Sequence, residues 1–273
     1  MKTNFFRTLF FLTHKIKTLY SSSPGLNKTI FSKSLLSKTK YIYLQHSPVS
    51  LTMAYPDKYF DEFDAIQVIN KSQYNEILEI KKLRNLKCKV IRSKYLYLKR
   101  NIQVNMKNNK YEILIAPSWN TGFYKNKCHI LLDKYLKDLN LKYLLRPHHM
   151  SFKKKEVSIN ELESFDINFD QNSEINHEEY KLLISDWSGI IYESAILKKK
   201  KALLVNTAKK INNSNYKIYE NIPLEVKSRQ IFGYTFNLNE LENLSKKAQQ
   251  ILKNESNNID NDINNFINEN FFV

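Results

Sequence analysis

Followed for its alternation of apolar and polar positions, the chain is a succession of short apolar runs, each ending in polar or small residues and leading into a stretch of helical spacing. Tyr41-Ile42-Tyr43-Leu44 predicts a buried strand that closes at Gln45-His46-Ser47-Pro48. Ala65-Ile66-Gln67-Val68-Ile69 predicts a second, followed by a helix from Tyr74 to Leu83, and Cys88-Lys89-Val90-Ile91 a weaker third. Beyond a basic, Asn-rich stretch around 100–110, Glu112-Ile113-Leu114-Ile115-Ala116 reads as a strand ended by Pro117-Ser118-Trp119-Asn120. Ile130, Leu131, Leu132, Tyr135, Leu136 and Leu139 then mark one helix face. Tyr143-Leu144-Leu145 is the next strand, closing at Arg146-Pro147-His148-His149, with a short extended segment at Ile167 to Phe169. Lys181-Leu182-Leu183-Ile184 leads into Ser185-Asp186-Trp187-Ser188-Gly189 and a helical run from Ile190 to Leu197, and Ala202-Leu203-Leu204-Val205-Asn206 completes a βαβ unit. A last helix carries Leu241, Leu244, Ala248 and Ile251 on one face. The Asn- and Asp-rich tail beyond Asn254 is expected to fray until Phe266 to Val273 seats in a groove.

Strands alternating with helices predict parallel sheet with right-handed crossovers, and no internal repeat of solenoid length interrupts the rhythm. In such sheets ligands bind at the carboxyl ends of the strands. The His, Ser, Asp, Arg and Trp residues able to do chemistry fall repeatedly at those ends. Length adds that 273 residues suffice for one large domain or two small ones. Hydrophobic content of 42% excludes wholesale disorder. The net charge of +16 invites a polyanion: nucleic acid, anionic lipid or a phosphate-rich substrate. Its Lys residues lie in short runs, Lys153 to Lys155 and Lys198 to Lys201, so charge alone does not choose among these. Cys88 and Cys128 are far apart and outside any CxxC pattern, which fits a reducing, cytosolic setting. The apolar segment Phe5 to Leu12 is interrupted by Arg7 and too short to span a bilayer; it reads as a core helix or an interfacial anchor.

Each polar strand end carries a chemical reading and a plain one. At 183–190 a strand stops at a polar turn and a helix opens near Ser188. Helix starts present unpaired N–H groups to an anion, Gly189 allows close backbone approach, and the Ser185 and Ser188 hydroxyls have protons to donate; simple capping by Ser188 is the plain alternative. Arg146 suits bidentate phosphate contact, and His148 beside it can donate to a phosphoryl oxygen or shuttle a proton; a surface Arg and carbonyl-capping histidines are the alternative. His46, just past an early strand, suits a general base for a hydroxyl nucleophile, or a structural turn. Ser118 and Trp119 offer a hydroxyl and a flat apolar wall, or a turn with a core Trp. No GxGxxG, Walker GK[ST] or HExxH motif occurs, and with Gly numbering 4 a glycine-built phosphate loop is excluded. Asp260-Asn261-Asp262 is a poor match to a metal-binding DxD, so no metal or other cofactor is expected.

Taken in order, Gln45-His46-Ser47-Pro48, Ala116-Pro117-Ser118-Trp119, Arg146-Pro147-His148-His149 and Ser185-Asp186-Trp187-Ser188-Gly189 resemble the strand-end motifs of the CDP-glycerol glycerophosphotransferase family, which includes teichoic acid polymerases and primases. The resemblance runs from about Tyr41 to about Thr207. It departs at Ser47, where the family has Gly; at His149, where it has Pro; and at Trp187 and Gly189, where it has Tyr and Ser.

The resemblance implies a GT-B-like α/β fold: two Rossmann-like domains with parallel sheets, a reduced acceptor-side one at 1–105 and a nucleotide-donor-binding one at 106–273. It implies His46 as base for the acceptor hydroxyl and His148 as the group that stabilises the phosphoryl in flight. Arg146, Ser118, Trp119, Ser185, Asp186, Ser188 and Gly189 would bind the donor, with Asp186 either orienting the helix start or touching a glycerol or ribose hydroxyl. The implied reaction moves glycerol phosphate from CDP-glycerol to a hydroxyl of a lipid-linked or glycan acceptor, releasing CMP. It would occur in the cytoplasm, with peripheral attachment to the anionic inner face of the membrane. Two alternatives stand beside it: a GT-B glycosyltransferase using a nucleotide sugar, and a non-enzymatic RNA- or membrane-binding protein. The second has the basic, Tyr-bearing stretch from Arg92 to Arg100 in its favour, but no RNP, KH or zinc signature, so nucleic acid is the disfavoured partner.

Overall fold

A computed structural model describes residues 16–28, 33, 38–95, 110–171, 176–254 and 260–272. The apolar segment Phe5 to Leu12 lies outside the described residues. The chain divides into two compact units: one holds the described residues up to Tyr95 with Ile211–Leu224 and those from Asn270 on, the other those from 110 to Lys210 with Glu225–Glu269.

The first unit is a four-stranded parallel sheet, β1 (Thr18–Ser21), β2 (Lys40–Tyr43), β3 (Ala65–Val68) and β4 (Lys89–Arg92), in that spatial order. Helix α1 (Lys71–Arg84) begins because Asn70 is extended and its side chain accepts the Gln73 N–H at 2.8 Å; it ends because Asn85 turns left-handed at φ 51°. Tyr41, Tyr43, Phe60, Phe63, Ile66, Val68 and Ile77 form its core.

The second unit is a five-stranded, all-parallel sheet: β5 (Tyr111–Ile115), β6 (Tyr143–Leu145), β7 (Tyr180–Ser185), β8 (Ala202–Val205) and β9 (Gly233–Phe236), in the order β6-β5-β7-β8-β9. Three strands alternate with α2 (Cys128–Asp138), α4 (Ile190–Lys198) and α5 (Leu241–Lys253), while the short α3 (His149–Lys153) follows β6. Leu132 and Leu136 of α2, and Leu244 and Ala248 of α5, join Ile113, Ile184 and Leu203 of the sheet in one buried core. Both units are Rossmann-like, and the N-terminal sheet is the smaller, as expected.

Two features depart from the reading of the sequence. The edge strands β1 and β9 were not expected, and 261–270 is not frayed but a helix, α6 (Asn261–Asn270). Asp260 starts it by accepting the Ile263 N–H at 3.1 Å, and Ile263 and Ile267, one turn apart, are buried. Lys198 is buried; its ammonium donates to the carbonyls of His177 (2.7 Å) and Tyr180 (2.5 Å) and lies 4.3 Å from the Tyr180 ring centre. Lys201 pairs with Asp260 at 3.5 Å. Among the described residues no helix is long and apolar enough to cross a membrane.

Candidate functional site

In the second sheet the chain leaves β5 for β6 on one side and returns to β7 on the other, so β5 and β7 are neighbours across a topological switch point. The loops following these two strands must diverge, and a crevice opens between them. Ser118 and Trp119 follow β5; Ser185 closes β7 and Asp186 to Gly189 follow it.

Asp186 ties this edge together. It is fully buried, and its Oδ1 accepts the backbone N–H of Ser118 (2.7 Å) and of Trp187 (2.6 Å). Oδ2 accepts the hydroxyls of Thr121 (2.5 Å) and Thr207 (3.4 Å). Burial still raises its pKa above the ordinary carboxylate value despite these donors. Of the two roles open to Asp186, the geometry gives it the orienting one: both oxygens are engaged by protein donors from the loops after β5, β7 and β8. Ser185 is likewise buried and donates to the Ala116 carbonyl at 2.7 Å, fastening β7 to the end of β5.

The polar groups around this knot are donors. The Ser118 hydroxyl is buried and has no hydrogen-bond partner. Helix α4 starts at Gly189 with no side-chain cap, so simple capping by Ser188 is not what this turn does. His148, at the end of β6, is half-buried, and its Nδ1 accepts the Met150 N–H at 3.1 Å. That nitrogen must present its lone pair, so the neutral ring carries its proton on Nε2. Burial, with Lys210, His149 and Arg146 nearby, pushes its pKa down to about 3, so the ring is neutral at physiological pH. His148 is therefore a hydrogen-bond donor through Nε2–H. His149, standing where the resemblance leads one to expect Pro, stacks on it at 4.4 Å between ring centres.

Two residues that sequence reasoning missed complete the edge. Arg229 stacks on Trp187, its guanidinium carbon 3.9 Å from the ring centre, and donates to the carbonyls of Asp186 (2.5 Å) and Val205 (2.9 Å). Trp187 in turn donates from Nε1 to the Thr207 carbonyl at 3.1 Å. Trp187, Ser188, Tyr192, Glu225, Arg229 and Phe232 line a small cleft beside the α4 start. Lys210 is the second, with its ammonium 5.1 Å from the Trp119 ring centre. No local motif announces either residue.

His46 belongs to the first unit. It is exposed at the tip of the loop after β2, which is clamped from beneath: Gln73 donates to the carbonyls of Ser47 (2.9 Å) and Val49 (2.8 Å), and Tyr95 to that of His46 (2.8 Å). Tyr43 donates its proton to Gln45 at 2.7 Å, so the 3.4 Å contact of His46 Nδ1 with the same phenol has the ring as donor. The lone pair then sits on Nε2, as a base toward a hydroxyl requires.

The second unit is thus a doubly wound α/β domain whose switch point gathers donors, within a chain of two Rossmann-like units of the GT-B kind. The chain is similar to several solved structures. A wall teichoic acid polymerase, TagF, soaked with CDPG, is 15% identical, matching 93% of this chain and 67% of its own at a TM-score of 0.51. A second TagF structure matches over 93% and 68% at 15% identity and 0.48, and a glycosyltransferase from Rickettsia africae over 98% and 76% at 12% identity and 0.42. At these identities the likeness is one of fold. The chain spans about two thirds of the polymerase chains' length. No family model and no curated protein matches the chain.

Proposed function

We propose that the chain is a GT-B-type transferase that takes a nucleotide-activated donor at the switch point of its second unit, and that the donor is CDP-glycerol. The observation that carries the reading is the meeting of Ser118 and Asp186 between β5 and β7: it fixes an edge of the sheet whose remaining polar groups, the Ser118 hydroxyl, the uncapped start of α4 and His148 Nε2–H, are all donors. A diphosphate is rich in acceptors and meets such a set without a glycine loop. In this reading Arg146, Ser118, Trp119, Ser188 and Gly189 contact the donor, while Ser185 and Asp186 hold those contacts in place.

The resemblance of the strand ends supplies the chemistry. An acceptor hydroxyl, on a lipid-linked or glycan chain of a surface polymer, attacks the β-phosphorus. The new O–P bond forms as the bridging P–O bond breaks, CMP leaves, and the hydroxyl proton passes to His46. His148 donates to a non-bridging oxygen as charge develops there; positioning and electrostatic stabilisation carry most of the rate. The exposed Lys153 to Lys155 run suits peripheral contact with an anionic membrane face.

Calorimetric titration with CDP-glycerol, run beside a panel of sugar nucleotides, tests the donor, and the nucleotide released in the presence of acceptor tests the reaction. CDP-glycerol binding with CMP release supports the reading. Binding of a sugar nucleotide alone makes the protein a glycosyltransferase, and binding of neither removes the transferase assignment.

A further inference from the structure

Lys210 lies five residues beyond the end of β8, in a segment pinned by two bonds: the Thr207 hydroxyl donates to Asp186 at 3.4 Å, and the Ala208 N–H to the Thr121 carbonyl at 3.1 Å. These bring the lysine back over the loop after β5, where its ammonium sits 5.1 Å from the Trp119 ring centre. The His148 ring stands 6.4 Å from the same indole. Ser118, next in the chain to Trp119, has a buried hydroxyl without a hydrogen-bond partner. One indole therefore has an ammonium and an imidazole ring for neighbours.

Lys210 is half-buried, and a lysine partly withdrawn from water ordinarily finds a carboxylate. Asp186, Glu225 and Glu156 all pull on Lys210 electrostatically, yet none forms an ion pair with it. Asp186 has both oxygens occupied by four protein donors, and Glu156 accepts the Asn120 N–H at 2.7 Å. Burial lowers the Lys210 pKa from its ordinary value, and its positive charge helps hold His148 neutral. A half-buried cation that makes no ion pair, beside two carboxylates already engaged by protein donors, is placed to take a counter-ion from outside the chain.

We propose that Lys210 is an anion-binding residue of the donor site, its ammonium neutralising a phosphate of the diphosphate that His148 Nε2–H and the Ser118 hydroxyl also contact. The inference rests on the donor-site reading above and adds the charge that reading lacks: a point cation on the β8 side of the crevice. Trp119 would act as the wall that orients the ammonium.

The chain has 2 tryptophans, Trp119 and Trp187, and both lie at this edge, so intrinsic fluorescence reports on it directly. The test is a fluorescence titration of the full chain with inorganic pyrophosphate and with CDP, on the native protein and on Lys210→Met and Lys210→Arg. The native protein is expected to give a saturable change with both probes. Lys210→Met should weaken pyrophosphate about ten-fold or more, the loss of one charge-assisted contact, while Lys210→Arg stays within about three-fold of native. Thermal melts without ligand should show Lys210→Met close to native in stability, because the removed charge makes no ion pair with the protein. Unchanged pyrophosphate affinity in Lys210→Met, with the native protein binding normally, overturns the role of Lys210 and leaves the donor site standing. A marked fall in melting temperature with affinity retained does the same, making Lys210 a structural cation. If the native protein binds neither probe at millimolar concentration, the donor site and Lys210's role fall together.

Discussion

The carboxylate of Asp186 accepts the backbone N–H of Ser118 at 2.7 Å, joining the ends of two strands separated by 68 residues of sequence. Three further donors meet the same carboxylate, so the loops after β5, β7 and β8 share one buried anion. Asp186→Ala should orphan all four and cost about 3 kcal/mol of stability, more than Asp186→Asn, which keeps one accepting oxygen. Urea unfolding of the two variants checks the order. Donor binding, followed by tryptophan fluorescence, should be lost in both even under conditions where they remain folded.

His148 separates two jobs in one ring. Nδ1 accepts the Met150 N–H, and in the proposed function Nε2–H is the group that meets the ligand. Asn at this position retains an accepting oxygen for the cap but has no equivalent of Nε2–H. His148→Asn should therefore unfold within about 0.5 kcal/mol of native while transfer falls about a hundred-fold or more, in keeping with loss of a transition-state donor. Native-like activity in this variant would remove His148 from the chemistry. His46→Ala should abolish transfer without loss of fold, since the residue is exposed at a loop tip.

Acid should weaken the second unit through His177. This side chain is buried, its Nδ1 contacts the Tyr180 hydroxyl at 2.7 Å, and burial together with Lys198 and Arg146 lowers its pKa to about 4. In the unfolded chain it titrates at its ordinary value of 6.5. Between these values the unfolded state binds the extra proton, so stability falls as pH drops from about 6.5 toward 4 and levels off below. The loss attributable to His177 between pH 7 and 5 is about 2 kcal/mol. Urea midpoints at the two pH values, in native protein and in His177→Gln, should differ by a slope that the substitution removes.

Gly233, at the start of β9, is extended at φ −168°, so its backbone suits any residue; space is what it lacks. A β-carbon there would lie 2.4 Å from Leu204 Cγ, 2.5 Å from its Cδ1 and 2.9 Å from the Ala202 carbonyl oxygen. Gly233→Ala should cost about 1–3 kcal/mol by overpacking. Adding Leu204→Ala should recover part of the loss, a coupling visible in a double-mutant cycle of melting curves.

The interior of both sheets was legible because buried parallel strands advertise themselves as apolar runs: Ile113 to Ile115 and Leu182 to Ile184 need no partner to be recognised. Edge strands do not. Thr18 to Ser21 has no buried residue, and Tyr234 and Thr235 of β9 are exposed, so periodicity gave them no signal. Helix α6 was hidden by its Asn residues, whose turn-forming habit outweighed an Ile pair one turn apart. At the site, Ser118, His148 and Asp186 could be picked out because each ends a strand. Lys210 and Arg229 could not, since one acts through an indole 91 residues earlier in sequence and the other through carbonyls of β8 and of Asp186. The partners within the β7 turn were also beyond reach: burial is what engages Asp186 and Ser185 with protein groups.

Lys198 shows what the packing of a single amine makes measurable. Locked against two carbonyls and the face of Tyr180, it is shielded from reagents that modify the exposed lysines around it, such as Lys200. An amine-reactive label read out peptide by peptide would therefore leave Lys198 unmodified for as long as the second unit stays closed. Its first appearance among the labelled peptides would time the opening of that unit.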